Sequence, residues 1–177
     1  NIGKVQSQNR AYELTNGDYI AIIGGDDYMS HDRISNQMKF LKYQQLDACF
    51  TNLFLIDENG NLLRNNQMFY NNTPFINSDK ISLIQGHSFP GNSIFFNRAM
   101  ANMIYPIPKT LPYEDRWFSF VILLNGKMGY LSKPLTYYRQ HNNNSWGILN
   151  KKELKTFILR SKNLVIREFN YLIEIKK

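Results

Sequence analysis

The sequence predicts an α/β domain on three observations. A helix-like stretch runs straight into a short apolar strand, a second helix–strand succession follows it, and a long apolar helix late in the chain precedes two further strand-like runs. Such alternation is the mark of helices packed on a sheet.

Along the chain, Gly3 to Leu14 has a helical composition with sparse apolar positions at Val5, Tyr12 and Leu14, and Asn16-Gly17 stops it. Tyr19 to Ile23, closed by Gly24-Gly25, is a continuous apolar run and reads as a buried strand of a parallel sheet. Ser30 or Asp32 can cap the next helix, in which Ile34, Met38 and Leu41 recur at helical spacing to about Gln45. Ala48 to Ile56 is strand-like, and Asp57-Glu58-Asn59-Gly60 turns it into Leu62-Leu63, a hairpin. Residues 64 to 80, Asn-rich with one proline, read as a long loop of the kind that carries function in compact domains. Ser93 to Phe96 reads as a strand, Arg98 to Ile104 as a short helix and Pro106 to Pro112 as a break. Glu114 to Leu124 sets Trp117, Phe118, Val121, Ile122 and Leu124 in a buried helix stopped at Asn125-Gly126, with Trp117, Phe118 and Phe120 read as core. Met128 to Leu131 and Leu135 to Tyr138 read as two short strands. At the end, Leu154, Phe157, Ile158, Ser161, Val165, Phe169 and Leu172 fall at helical spacing, an amphipathic helix with a basic outer face.

The length, 177 residues, suits one domain with an adequate core, and 43% hydrophobic with 20% charged residues excludes intrinsic disorder. Cys49 is the only cysteine. It excludes an internal disulfide framework and a Cys-based zinc cluster, suits a reducing compartment, and reads as a buried apolar side chain. No apolar run reaches the roughly 20 residues of a membrane span, and Asn1-Ile2-Gly3-Lys4 lacks the apolar core of a signal peptide. The expected location is cytoplasmic, with contact at the inner face of the membrane as the peripheral alternative. An opening residue other than Met is expected of a chain cut from a longer one. The net charge of +7 is uneven, because residues 151–177 hold eight basic against three acidic side chains, a net +5. A nearly neutral body argues against a nucleic-acid partner. The basic helix suits either a solvated face packed on a domain or an anionic membrane surface.

Three places can carry chemistry. Asp26-Asp27 follows a strand at the end where α/β sheets bind ligands, and adjacent carboxylates favour a hard divalent cation; capping of the next helix is the plainer alternative. Glu114-Asp115 opens a buried helix, where one carboxylate can cap and the other can face a cleft as general base. Arg139 and His141 end a strand and enter an Asn-rich loop, as phosphate or hydroxyl ligands or as ordinary surface residues. His31 and His87 have no ligand-type neighbours at metal spacing and read as structural, and no P-loop, zincin helix or nucleophile elbow is present.

The order of these motifs is more specific than any one of them. NIGKVQSQNRAYELTNGDYIAIIGGDDYMSHDRISNQMKFL resembles the middle of a family 2 glycosyltransferase with the GT-A fold, a Rossmann-like nucleotide-diphospho-sugar transferase architecture of mixed sheet flanked by helices. In that family a helix with Gly near its start and Asn at the position of Asn9 precedes a Gly-Asp/Glu-Tyr-Ile strand, an Asp-rich metal motif and a helix beginning Pro-x-Arg/Lys-Ile. PYEDRWFSFVILLNGKMGYLSKPLTYYRQHNNNS is similar to its Glu-Asp helix and terminal Tyr-Arg-x-His segment. The resemblance covers residues 1 to about 147, expected as the C-terminal portion of a catalytic domain, with 148–177 as an appended basic helix.

The resemblance implies inverting transfer of a sugar, of hexosyl or related type, from a nucleotide-diphosphate donor to a hydroxyl of a glycan or lipid-linked acceptor, as in polysaccharide biosynthesis. Asp27, with Asp26, would hold Mg²⁺ or Mn²⁺ against the donor diphosphate. Asp115 would be the base and Glu114 would assist it. Asn9, Asp26, Arg139 and His141 would contact substrate. Two departures stand out: Gly24 or Gly25 occupies a position where many members carry a further Asp, and the family's first βα units, which grip the nucleotide, are missing from residues 1–177. A chain of this span is therefore expected to be inactive alone. A non-catalytic glycan- or partner-binding module with the same fold, and a metal-dependent phosphohydrolase using Asp26 and Asp27, are the competing expectations.

Overall fold

Two pairs of neighbouring residues show how the layers arise. In the computed structural model, whose described residues are 2–65, 89–109, 111, 114–141 and 144, Cys49 and Phe95 pack with Leu41 and Leu46. Their chain neighbours Phe50 and Phe96 pack instead with Ile94, Met100, Ile104 and Phe118. Successive side chains of a strand point to opposite faces, so each pair serves both sides of one sheet.

The elements are α1 (Lys4–Glu13), β1 (Tyr19–Ala21), β2 (Tyr28–Met29), α2 (Arg33–Gln44), β3 (Ala48–Ile56), β4 (Leu62–Asn65), a 3-10 turn (Gly91–Ser93), β5 (Phe95–Asn97), α3 (Arg98–Ile104), α4 (Glu114–Asn125) and β6 (Met128–Arg139). The six strands form one mixed sheet in the order β1-β5-β3-β6-β2, with β4 also on β3. At its centre β3 runs parallel to β6 from Ala48↔Met128 to Ile56↔Arg139. Its other edge takes β5 at Ala48 and Cys49 and β4 at Phe54 to Ile56, both antiparallel. Helix α2 covers one face through Ile34, Met38 and Leu41, and α3 and α4 cover the other through Met100, Ile104, Trp117, Phe118 and Ile122. Among the described residues no helix is long and apolar enough to cross a membrane.

The helices, the β3–β4 hairpin and the buried Cys49 agree with the sequence reading. Four expectations are corrected. Tyr19 to Ile23 is not a strand of parallel neighbours: β1 ends at Ala21 and pairs antiparallel with β5. Ser93 belongs to the 3-10 turn, and the strand after it is Phe95–Asn97. The two short strands expected at 128–131 and 135–138 are one, β6, because its register on β3 shifts around Asn52 opposite Pro134; the irregularity absorbs a proline that has no N–H to give a regular ladder. Residues 64 and 65 extend β4, whereas 66–88 and the 151–177 helix lie outside the described residues.

Asn9 shows how α1 is tied down. Its side-chain amide donates to the Ile107 carbonyl (2.9 Å) and accepts from the Ile107 N–H (2.7 Å), a two-bond clamp on the segment after α3. An Asn9→Ala chain is expected to lose about 1–3 kcal/mol of stability, measured as a lowered urea midpoint; an unchanged midpoint would remove the clamp from the account.

Candidate active site

Strand β2 has two residues, yet its pairing seats the acidic pair. Tyr28 lies opposite Tyr137 and Met29 opposite Thr136, so the residues before Tyr28 run beside the end of β6. Asp27 is held at both carboxylate oxygens: the Arg139 backbone N–H donates to Oδ1 (2.9 Å) and the Asn92 amide to Oδ2 (2.7 Å). Gly24 lies beneath. A Cβ there would stand 2.6 Å from Asp27 Oδ2 and 3.0 Å from Asp26 Oδ1, so the two carboxylates converge over a point that only glycine leaves clear. Burial raises the Asp27 pKa; the bonds from Asn92 and Arg139 oppose it and the Asp26 charge adds to it.

His141 Nε2 lies 3.0 Å from Asp26 Oδ2, and its backbone N–H donates to Asn144 Oδ1. Thus Asp26, Asp27 and His141, separated by more than a hundred residues in sequence, meet in one place. The Arg139 guanidinium is directed elsewhere. It donates to the carbonyls of Asp26 (2.9 Å), Asp57 (3.2 Å) and Glu58 (2.8 Å) and lies over the Tyr28 ring, so it binds the acidic loop to the β3–β4 turn.

The second pair stands at the start of α4, where the helix dipole favours negative charge. Glu114 is buried and ion-paired with Lys4 at 2.5 Å. Asp115 accepts from the Arg116 N–H (2.8 Å). Burial first, and the neighbouring Glu114 charge second, push its pKa up to about 6. That places it where a general base works near neutral pH.

The Gly91–Ser93 turn brings the two pairs together. Asn92 holds Asp27, and a Cβ on Gly91 would lie 3.4 Å from Asp115 Cβ and 3.6 Å from Glu114 Oε1. Tyr138, next to Asp27 on the β6 edge, feels the charges of Asp27, Asp26 and Asp115; burial and those charges push its phenol up to about 12. Asn9 stands on Ile107 instead. Sequence reasoning missed Asn92, Tyr138 and Lys4. Pro90-Gly91-Asn92 carries only an ordinary turn signal, and an exposed lysine at a helix start carries none.

A divalent cation suits the first pair. Two adjacent carboxylates are hard oxygen donors, and His141 is engaged with one of them, Asp26. Among the described residues no group of three His, Cys, Asp or Glu side chains forms a cage by itself. Magnesium is commonly bound by one or two carboxylates with substrate phosphates completing the shell, and that is the share these residues can supply.

Comparison with known proteins identifies the fold and the family. A family model described as "Glycosyl transferase family 2" matches residues 1–104. A curated relative, an uncharacterized glycosyltransferase of Methanocaldococcus jannaschii, is 37% identical over 65 residues, 36% of this chain and 22% of the relative. The crystal structure of S. aureus TarS 1–349 in complex with UDP-GlcNAc superposes with a TM-score of 0.61 at 17% identity, covering 92% of this chain and 46% of TarS. TarS 1–349 without that ligand gives 0.58 at 22% identity over 78% and 41%, and its UDP complex gives 0.54 at 21% over 76% and 39%. The chain spans less than half the length of these structures and about a fifth of the curated relative.

Proposed function

The chain belongs to glycosyl transferase family 2 and has the GT-A fold, and from that membership we propose that it carries the metal-side and base-side residues of a glycosyltransferase using a nucleotide-sugar donor. The observation that carries the reading is the 3-10 turn Gly91–Ser93: Asn92 bonds Asp27, and Gly91 sits close enough to the start of α4 that a Cβ there would stand 3.4 Å from Asp115 Cβ. It joins a phosphate-and-metal site to a general base.

In this reading Asp26 and Asp27 would hold Mg²⁺ or Mn²⁺ together with the donor diphosphate, and His141 braces Asp26. A cation held there would supply charge neutralisation for the departing nucleoside diphosphate, worth several kcal/mol. Asp115 takes the proton of the acceptor hydroxyl while that oxygen bonds to the anomeric carbon from the face opposite the leaving group. The carbon–phosphate-oxygen bond breaks and configuration inverts. Glu114, ion-paired with Lys4, assists the base through its charge beside Asp115. The acceptor is a hydroxyl of a glycan or lipid-linked saccharide. The donor class is supported by TarS, whose crystal structures were solved in complex with UDP-GlcNAc and with UDP.

The test is titration calorimetry and nucleoside-diphosphate release with UDP-sugars and Mn²⁺, on a chain with its natural N-terminus. Metal-dependent release supports the reading. Binding without turnover would favour a glycan- or partner-binding module, and phosphate release from simple esters would favour a phosphohydrolase.

Residues 148–177 are proposed as a separate basic helix that holds the enzyme at an anionic membrane from its cytoplasmic side, on the strength of the net +5 in 151–177. The full chain is expected to sediment with anionic liposomes at low salt and a chain lacking 151–177 to stay in solution. Equal sedimentation of the two would reject the anchor.

A further inference from the structure

The Asp27 carboxylate receives hydrogen bonds from two sources of different character. One is the Arg139 backbone N–H, which any residue at 139 other than proline would offer. The other is the Asn92 side chain, set on a turn whose own position is unusually well determined. Ser93 Oγ donates to the Pro90 carbonyl (3.1 Å) and accepts from the Thr51 N–H (3.4 Å). Behind the turn, α2 supplies two fully buried polar side chains. Gln37 donates to the Ser93 carbonyl (2.9 Å), and Arg33 donates through Nε to Gln37 Oε1 (2.9 Å). The Arg33 guanidinium then bonds the Ile94 carbonyl (3.2 Å) and the Ile22 carbonyl (3.0 Å). A single side chain therefore ties the stretch that follows the turn to the stretch that leads from β1 into Asp26-Asp27. A buried guanidinium is costly; its hydrogen bonds go to neutral groups, the Asp27 charge also favours it, and here it links the two segments whose relative position decides where Asp27 points.

We propose that Asn92 is the positioning residue of the acidic pair: its amide, carried on a turn braced by Arg33 and Gln37, fixes the Asp27 carboxylate for a divalent cation. The inference rests on the glycosyltransferase reading and deepens it. Asn92 acts through Asp27 and is not itself a cation ligand. Partners that orient metal ligands in this way typically change metal affinity by about 10–100-fold when removed.

The experiment is Mn²⁺ titration of the full chain with its natural N-terminus, followed by the free-Mn²⁺ electron paramagnetic resonance signal with UDP present. Thermal melting without metal and the Mn²⁺ activation constant are measured alongside. Asn92→Ala is expected to weaken Mn²⁺ binding at least about tenfold and to raise the activation constant in parallel. Its metal-free melt should stay cooperative, so that metal affinity falls without loss of folding, a split that general damage to the fold would not produce. If the alanine variant fails to melt cooperatively, Asn92→Ser, which keeps a polar side chain but shortens its reach, is held to the same expectation. Mn²⁺ binding by either folded variant within twofold of wild type overturns the proposal. If wild type itself binds no Mn²⁺, the metal-dependent transferase reading falls with it, whereas binding by wild type and variant alike removes only the role of Asn92.

Discussion

Asp115→Asn is expected to abolish sugar transfer, by at least about 10²–10⁴-fold, while leaving UDP and Mn²⁺ binding at wild-type strength and making the protein more stable at neutral pH. The two halves of this expectation have one cause. The Asp115 carboxyl ordinarily ionises at 3.8 and here near about 6, chiefly through burial and then through the Glu114 charge. For an acid whose folded pKa is raised, the native state binds more protons than the unfolded state between those values. Stability therefore falls as pH rises from about 4 to about 6 and levels off above that window. Carrying the ionised form at neutral pH costs the fold about 3 kcal/mol. An amide at 115 removes that cost and keeps an oxygen for the Arg116 N–H. It has no lone pair basic enough to take the acceptor's proton. The wild-type rate should also fall below about pH 6, where Asp115 is protonated. Unchanged turnover in Asp115→Asn would overturn the base assignment, and an unchanged denaturation midpoint at pH 7.5, set against pH 4, would overturn the strained-carboxylate account.

Asp27→Asn is expected to lose metal-dependent nucleotide binding by about 10²–10³-fold, because several kcal/mol of cation–diphosphate stabilisation passes through this site and each 1.36 kcal/mol is a tenfold factor. Asp27 accepts on both oxygens, from Asn92 and from the Arg139 N–H. An amide at 27 keeps an oxygen for the Arg139 N–H, and its NH₂ can donate to the Asn92 amide once that group turns its oxygen inward, so the metal loss is expected without a comparable loss of stability. Calorimetry with UDP, with and without Mn²⁺, reads the binding effect and a urea melt checks the fold. Metal-dependent binding at wild-type affinity would move the cation site away from Asp27.

What was legible in the sequence follows from local chemistry. Ala48 to Ile56 is an unbroken run of strand-forming, largely apolar residues, and it is the buried central strand. Ile34, Met38 and Leu41 share a helical face and pack together under the sheet. Asp57 to Gly60 makes the turn its composition suggests, with Asp57 accepting from the Asn59 and Asn61 N–H groups. The acidic pairs were also visible, since two adjacent carboxylates at a predicted element boundary need no long-range information to be noticed. Tyr19 to Ile23 shows the limit of such reading. An apolar run predicts burial but not the direction of its neighbour, and β5, which lies antiparallel to it, comes some seventy residues later.

By itself, the sequence determined the α/β class, the order of helices and strands, and the identity of the carboxylates, because periodicity, capping and turn chemistry act over a few residues. Only the tertiary structure decided which of those groups meet. It set His141 against Asp26, turned the Arg139 guanidinium onto backbone carbonyls, committed Asn9 to Ile107 and brought Asn92 onto Asp27. These contacts span gaps of 65 to 115 residues. They depend on the register of β2 on β6 and on how the turn after Pro90 is braced from α2, and both are settled by packing and hydrogen bonding across the whole sheet, which no local window of sequence contains.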